Sequence, residues 1–137
     1  PFIDDIIVKP EYLPEFLPRF NKILKRYPSF IATFAGHIGN GNFHIIPLMD
    51  LDNPFSSDII LDLSQKVYAL VAEYKGSITA EHNDGLIRTP YLGKIFSPAV
   101  LGLFADTKKI FDPLNIFNPN KKVGGTLEYL KEHLAQS

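Results

Sequence analysis

The chain contains no cysteine, and its single methionine is Met49. Without thiols it forms neither disulfides nor thiolate metal sites, so any ion it holds must take nitrogen and oxygen donors. Neither sign of charge is in excess. Fourteen Lys and Arg stand against fifteen Asp and Glu, a formal charge of −1, which argues against the broad basic surface that a nucleic acid needs. No apolar run approaches the roughly 18 residues of a membrane span, and no basic-then-apolar leader is seen, so neither a transmembrane segment nor a signal peptide is expected. A hydrophobic fraction of 45 % with 21 % charged residues is that of an ordinary soluble globular protein, expected in the cytoplasm. The length of 137 residues predicts one domain over 1–137, with residues 86–137 as its helical extension. A start at Pro1, with the only methionine far inside, is expected of a segment of a longer polypeptide.

What is present concentrates in Gly36-His37-Ile38-Gly39-Asn40-Gly41-Asn42-Phe43-His44. Asn40-Gly41 is the dipeptide favoured in two-residue type I′ hairpins, where both central residues take positive φ. Such a turn predicts Gly39 facing Asn42, Ile38 facing Phe43, and His37 facing His44. Opposed residues have Cβ atoms roughly 5 Å apart on one sheet face, close enough for two imidazoles to chelate one ion. Glu81-His82, between the apolar Ser77–Ala80 and the turn-forming Asn83-Asp84-Gly85, offers a carboxylate and an imidazole at a strand's exit.

The hydrophobic pattern places these motifs. Phe2–Val8 predicts a strand. Tyr12, Leu13, Phe16, Leu17, Phe20, Ile23, Leu24 and Tyr27 recur at helical steps, with Pro14 suited to a first turn and Pro18 predicting a late start or a bend. The hairpin strands are expected over 30–38 and 43–51. Asn53-Pro54 introduces a second amphipathic helix from Ile59 to Tyr74, stopped by Gly76, and Ser77–Ala80 is a fourth strand. The order strand, helix, strand, strand, helix, strand predicts an α+β, ferredoxin-like (split βαβ) fold: an antiparallel sheet with two helices on one face and the other face open. Beyond Gly85 a helix is expected from Pro98 to Asp112-Pro113, then a turn-rich apolar stretch over 114–121, then a short helix over Leu127–Leu134 with His133 exposed.

Four blocks in this order, FIDDIIVKPEYLPEF, GHIGNGNFHIIPL, ITAEHNDGLIRTPYL and KKIFDPLNIFNPNK, carry a resemblance. The chain looks like the C-terminal domain of FAD-linked oxidases of the vanillyl-alcohol-oxidase type. This branch includes D-lactate dehydrogenase, the glycolate oxidase flavin subunit and D-2-hydroxyglutarate dehydrogenase. The resemblance implies FAD held mainly by an N-terminal domain of the same polypeptide, absent here, and a cap that completes the pocket for a small 2-hydroxy acid. It implies His37, His44 and Glu81 as ligands of a divalent metal, Zn, Mn or Fe, and His82 as the catalytic base. It further implies Asn42, Asn118 and Lys121 near the flavin and Arg88 toward the substrate. The HNDGLIRTPYL form is most similar to longer members with an iron-sulfur domain, which would be the electron acceptor, although no cysteine motif for a cluster is present.

Three positions depart from that pattern. Asn40 stands where the family has Asp, Asn83 where it has Gly, and Asn120 where it has Gly. Asn accepts a left-handed backbone better than most residues, so Asn83 implies crowding beside His82 rather than a broken turn. Oxidising a 2-hydroxy acid requires holding carboxylate and hydroxyl, removing the hydroxyl proton, and accepting a hydride. A metal with two His and one carboxylate serves the first task, a histidine the second, and only a flavin the third. The isolated chain is therefore expected to be inactive. The rival expectation is a non-enzymatic ferredoxin-like module that binds a metal or ligand.

Overall fold

The computed structural model describes residues 2–28 and 30–134. It is an α+β fold with a small antiparallel sheet, flanking helices and a C-terminal helical extension. Strands β1 (Ile6–Ile7), β2 (Ile31–Ala35) and β3 (Asn42–Leu48) form the sheet in the order β1-β3-β2. Between them lie α1 (Leu13–Leu24), and after β3 α2 (Ser56–Glu73), α3 (Gly85–Arg88), α4 (Pro98–Phe111) and α5 (Leu127–Glu132). Among the described residues no helix is long and apolar enough to cross a membrane.

Alternation along β3 sorts its two faces, because successive strand residues point to opposite sides. Phe43 and Ile45 are buried toward the helices, whereas Ile46 and Leu48 are exposed on the opposite face. Phe16 and Phe20, one helical turn apart on α1, and Ile60, Leu63, Val67, Leu70 and Val71 on α2 close the core from the helix side. Each such side chain contributes about 1.5–3 kcal/mol by leaving water. The opposite face carries His44, and it remains uncovered by any described helix beside Ile46 and Leu48.

Two expectations change. The strand expected over Phe2–Val8 is paired only at Ile6 and Ile7, although Phe2, Ile3, Ile6 and Val8 are all core residues. The strand expected over Ser77–Ala80 is reduced to one antiparallel bridge, Ser77 with Ile7. The reason is local: Asp5 has a left-handed backbone (φ 65°), the Ala80 N–H divides between its carbonyl (3.0 Å) and its carboxylate (2.9 Å), and the N–H groups of Glu81 and His82 turn to the carboxylate alone. The bridge still puts this segment on the outer side of β1, the place a ferredoxin-like plan gives its last strand.

Helix α1 begins at Leu13 and continues through Pro18, so the late start is not found. A proline there leaves the Pro14 carbonyl without its helical donor, but Pro18 is exposed and water can serve that oxygen. Pro18→Ala restores the backbone bond. It is expected to raise the free energy of unfolding by about 1 kcal/mol, the loss of an interior proline being partly offset by greater freedom in the unfolded chain. A urea midpoint unchanged or lowered would contradict this.

Candidate functional site

The hairpin between β2 and β3 differs from the two-residue turn. The observed register pairs Ala35 with His44 and Phe34 with Ile45, two residues away from the expected one. The chain reverses through a 3-10 turn at Ile38–Asn40, closed by N–H bonds from Asn40 to the His37 carbonyl (2.8 Å) and from Gly41 to the Ile38 carbonyl (2.9 Å). Only Gly41 has positive φ (77°), and Asn40 does not. Gly41 sits against the end of β1, accepting from the Val8 N–H at 3.1 Å, and a Cβ there would overlap the Val8 carbonyl. Gly36, at φ 130°, passes so close to β3 that a Cβ would lie 2.6 Å from the Asn42 carbonyl oxygen. His37 therefore lies beyond the paired end of β2, and the left-handed Gly36 and the 3-10 turn bring it to His44 although the two are not directly opposed. Their ring centroids are 5.8 Å apart.

The remaining groups arrive through β1. Asp5 is fully buried, with a left-handed backbone (φ 65°). One carboxylate oxygen accepts from the Thr79 hydroxyl (3.0 Å) and from the N–H groups of Ala80 (2.9 Å), Glu81 (3.1 Å) and His82 (2.8 Å). The other accepts from the Asn42 amide at 3.2 Å. Burial pushes the Asp5 carboxyl up, but the N–H donors of His82, Ala80 and Glu81 and the Thr79 hydroxyl together hold it below its ordinary value. This carboxylate is thus a peg on which the Glu81-His82 backbone hangs.

On that frame the side chains converge. Glu81 Oε1 lies 2.8 Å from His44 Nε2, 3.5 Å from His37 Nε2 and 3.9 Å from His82 Nε2. Donors about 2.0–2.1 Å from a tetrahedral zinc are separated by roughly 3.3 Å, a value these distances bracket. The donor set, all imidazole and carboxylate, suits a borderline divalent ion. Asp5, His44, Glu81 and His82 also each offer one ligand atom within 4.8 Å of the others. That group takes in His82 and leaves out His37, which meets the cluster through its 3.5 Å approach to Glu81, and Asp5 is already committed to the backbone donors. His44 is mostly covered and supported from below, since Asp4 Oδ1 stands 3.3 Å from its Nδ1. His82 stacks on it at 4.8 Å between centroids with planes 10° apart, and its side chain is about half exposed.

The other expected residues lie around this cluster rather than in it. Asn42 is buried; its amide nitrogen donates to Asp5 and to the Ile6 carbonyl, and its oxygen has no partner among the described residues. Arg88 is 6 % exposed and donates to the carbonyls of Asn83 (2.6 Å) and Asp4 (3.2 Å), so it buckles the Glu81-His82 loop to β1. Asn83 and Asn120 have φ 62° and 61°, the left-handed conformation expected where glycine is usual. Asn118 and Lys121 lie on a turn folded by Asp112, whose carboxylate accepts from the N–H groups of Ile116 and Phe117 and pairs with Lys108. Lys121 reaches only the Pro119 carbonyl (3.2 Å). Its neighbour Lys122 bonds the fully buried Asp84 and the Asn83 side chain, tethering this turn two residues from His82.

Sequence reasoning missed Asp4, Asp5, Asp84 and Lys122. The adjacent aspartates inside Phe2-Ile3-Asp4-Asp5-Ile6-Ile7 were a usable signal, because buried carboxylates among apolar neighbours must be bound to something. A hollow of about 620 Å³ of mixed polarity, lined by Met49, Asp52, Ser56, Ile60 and Leu130 among others, includes none of the cluster's side chains. The cluster itself is an open wall.

Residues 1–122 match the family model described as FAD linked oxidases, C-terminal domain. The chain is 36 % identical over 126 residues to a D-2-hydroxyglutarate dehydrogenase of Stutzerimonas stutzeri strain A1501, covering 88 % of this chain and 27 % of that protein. It is 35 % identical over 126 residues to the D-2-hydroxyglutarate dehydrogenase of Escherichia coli K12, with 88 % and 12 % covered. A D-lactate dehydrogenase of Anaerostipes hadrus is 31 % identical over 118 residues, with 85 % and 25 % covered. The chain therefore spans between about an eighth and about a quarter of the length of these relatives.

Proposed function

Because the chain belongs to the FAD-linked oxidases, as their C-terminal domain, we propose that it forms the substrate-holding wall of an FAD-dependent dehydrogenase or oxidase. The substrate in this reading is a D-2-hydroxy acid such as D-lactate or glycolate, and a FAD-binding domain of the same polypeptide supplies the opposite wall. What supports the reading is the meeting of three imidazoles and one carboxylate on an open sheet face.

His37, His44 and Glu81 would hold a divalent cation, leaving coordination positions toward solvent. A cation there would polarise the substrate hydroxyl, and a flavin facing the wall would accept the hydride. The protein's own residues do the rest. Glu81 and His82 are adjacent in sequence and share the Asp5 anchor, so the ligand and the proton acceptor move as one piece. Half-exposed, His82 can reach the hydroxyl proton of a substrate lying on the wall. Arg88 and Lys122 stiffen the loop that carries it.

Titration with Zn²⁺ or Mn²⁺ is expected to give one ion per chain, with affinity falling about 100-fold, or roughly 2.7 kcal/mol, in His44→Ala and Glu81→Ala. The complete flavoprotein should lose its yellow flavin absorbance on anaerobic addition of D-lactate or glycolate. Metal binding that is unchanged in both variants, or flavin untouched by every short 2-hydroxy acid, would overturn the reading.

A further inference from the structure

We propose that Asp4 is a positioning residue that sets the orientation and tautomer of His44 and His82 together, one carboxylate oxygen to each ring. This inference rests on the metal-and-base reading above and adds to it a group outside the ligand set.

Asp4 Oδ1 lies 3.3 Å from His44 Nδ1, and Asp4 Oδ2 lies 3.3 Å from His82 Nδ1. The Asp4 side chain is 11 % exposed, and no cation of Lys or Arg pairs with its carboxylate among the described residues. Asp4 Oδ1 and His44 Nδ1 are both buried, and neither makes an aligned hydrogen bond to any described group. A buried acceptor and a buried nitrogen, each unpartnered and 3.3 Å apart, form a bond once the ring carries its proton on Nδ1 and turns slightly. The second oxygen then serves the stacked ring of His82 in the same way.

The consequence lies at the opposite edge of each ring. A proton on Nδ1 of His44 leaves the Nε2 lone pair facing Glu81 Oε1, where an ion must sit. On His82 the same tautomer leaves Nε2 free as the basic atom. A carboxylate that holds an imidazole by Nδ1–H both orients the ring and raises its donor strength, and losing such a partner typically weakens metal affinity about 10–100-fold. Here one aspartate serves a ligand and a base at once. The stacking of the two rings follows from their sharing it. Asp4 keeps its place through its own backbone, since its carbonyl accepts from Arg88.

The test compares the wild-type chain with Asp4→Asn, which preserves size and burial but offers one amide oxygen and one amide NH₂ in place of two acceptors. Zn²⁺ affinity is expected to fall about 10–100-fold while the metal-free variant unfolds within a few degrees of wild type. The ¹⁵N shifts of the imidazoles in the zinc-loaded wild type are expected to show Nδ1–H on both His44 and His82, and one of the two to change in Asp4→Asn. This second readout needs no variant to fold. Nε2–H on His82 in the zinc-loaded wild type, or Asp4→Asn affinity within twofold with unchanged tautomers, would overturn the role of Asp4 and leave the metal reading standing, whereas zinc binding with Nε2–H on His44 would overturn the role of Asp4 and remove His44 from the ligands. A wild-type chain that takes up no ion would overturn both.

Discussion

His82→Gln in the complete flavoprotein is expected to slow flavin reduction by roughly 10³-fold, about 4 kcal/mol of barrier, while leaving one metal ion bound. Glutamine keeps a polar group of similar reach but cannot take a proton. Among the three imidazoles His82 is the one whose Nε2 lies farthest from Glu81 Oε1, at 3.9 Å, against 2.8 Å for His44 and 3.5 Å for His37. It is also half-exposed, whereas His44 is mostly covered. In the reading proposed above it is distance that sets His82 apart as the base, since His37 is more exposed than His82 and is grouped with the ligands by its shorter reach to Glu81. Stopped-flow reduction paired with metal analysis of the same sample checks it. Retained rate would remove His82 from the chemistry, and joint loss of rate and metal would make it a ligand.

Asp5→Ala is expected to destabilise the chain by about 4 kcal/mol. Charged hydrogen bonds are worth roughly 1.5–3 kcal/mol each, and stranded buried donors carry a further cost. The backbone N–H groups of Glu81 and His82 and the Thr79 hydroxyl lose their acceptor, while the Ala80 N–H and the Asn42 amide each lose one of two, keeping the carbonyls of residue 5 and Ile6. Alanine also pays about 1–2 kcal/mol for the left-handed backbone that Asp5 holds at φ 65°. Asp5→Asn tolerates that backbone, so its smaller loss isolates the carboxylate. Because the folded-state carboxyl is held low, its contribution is fully present above the ordinary aspartate range and fades as pH falls through that range toward the folded value. The gap between wild type and Asp5→Asn in denaturant unfolding should therefore be constant above about pH 5 and narrow below about pH 4. A gap that widens on acidification would contradict the assignment.

The parts legible in the sequence were those carried by periodicity and by local backbone chemistry. The helical spacing of Phe16 and Phe20 and of Ile60, Leu63 and Val67 located the core faces of α1 and α2. Pro98 opens the helix expected up to Asp112-Pro113, which runs over Pro98–Phe111. The hairpin was located but misregistered. Asn-Gly favours a two-residue turn, yet Gly36 and Gly41 allow backbone to lie against backbone at β3 and at Val8, and that packing selects a longer loop. The strand over Ser77–Ala80 was cut short for a related reason, since the carboxylate of Asp5, just before β1, shares the Ala80 N–H with the backbone and takes those of Glu81 and His82. Neither competition is visible in a pattern of apolar residues.

The amino-acid order alone determined the α+β class, the donor types any ion must accept, and the two short segments that carry histidine and glutamate. Tertiary structure decided how those segments meet. Asp5, some 75 positions away in the chain, gathers the N–H groups behind Glu81 and His82, and Asp4 stands beneath two rings that sequence places far apart. Buried carboxylates act through space over a few ångströms, and no local propensity records which distant donors will arrive within that reach.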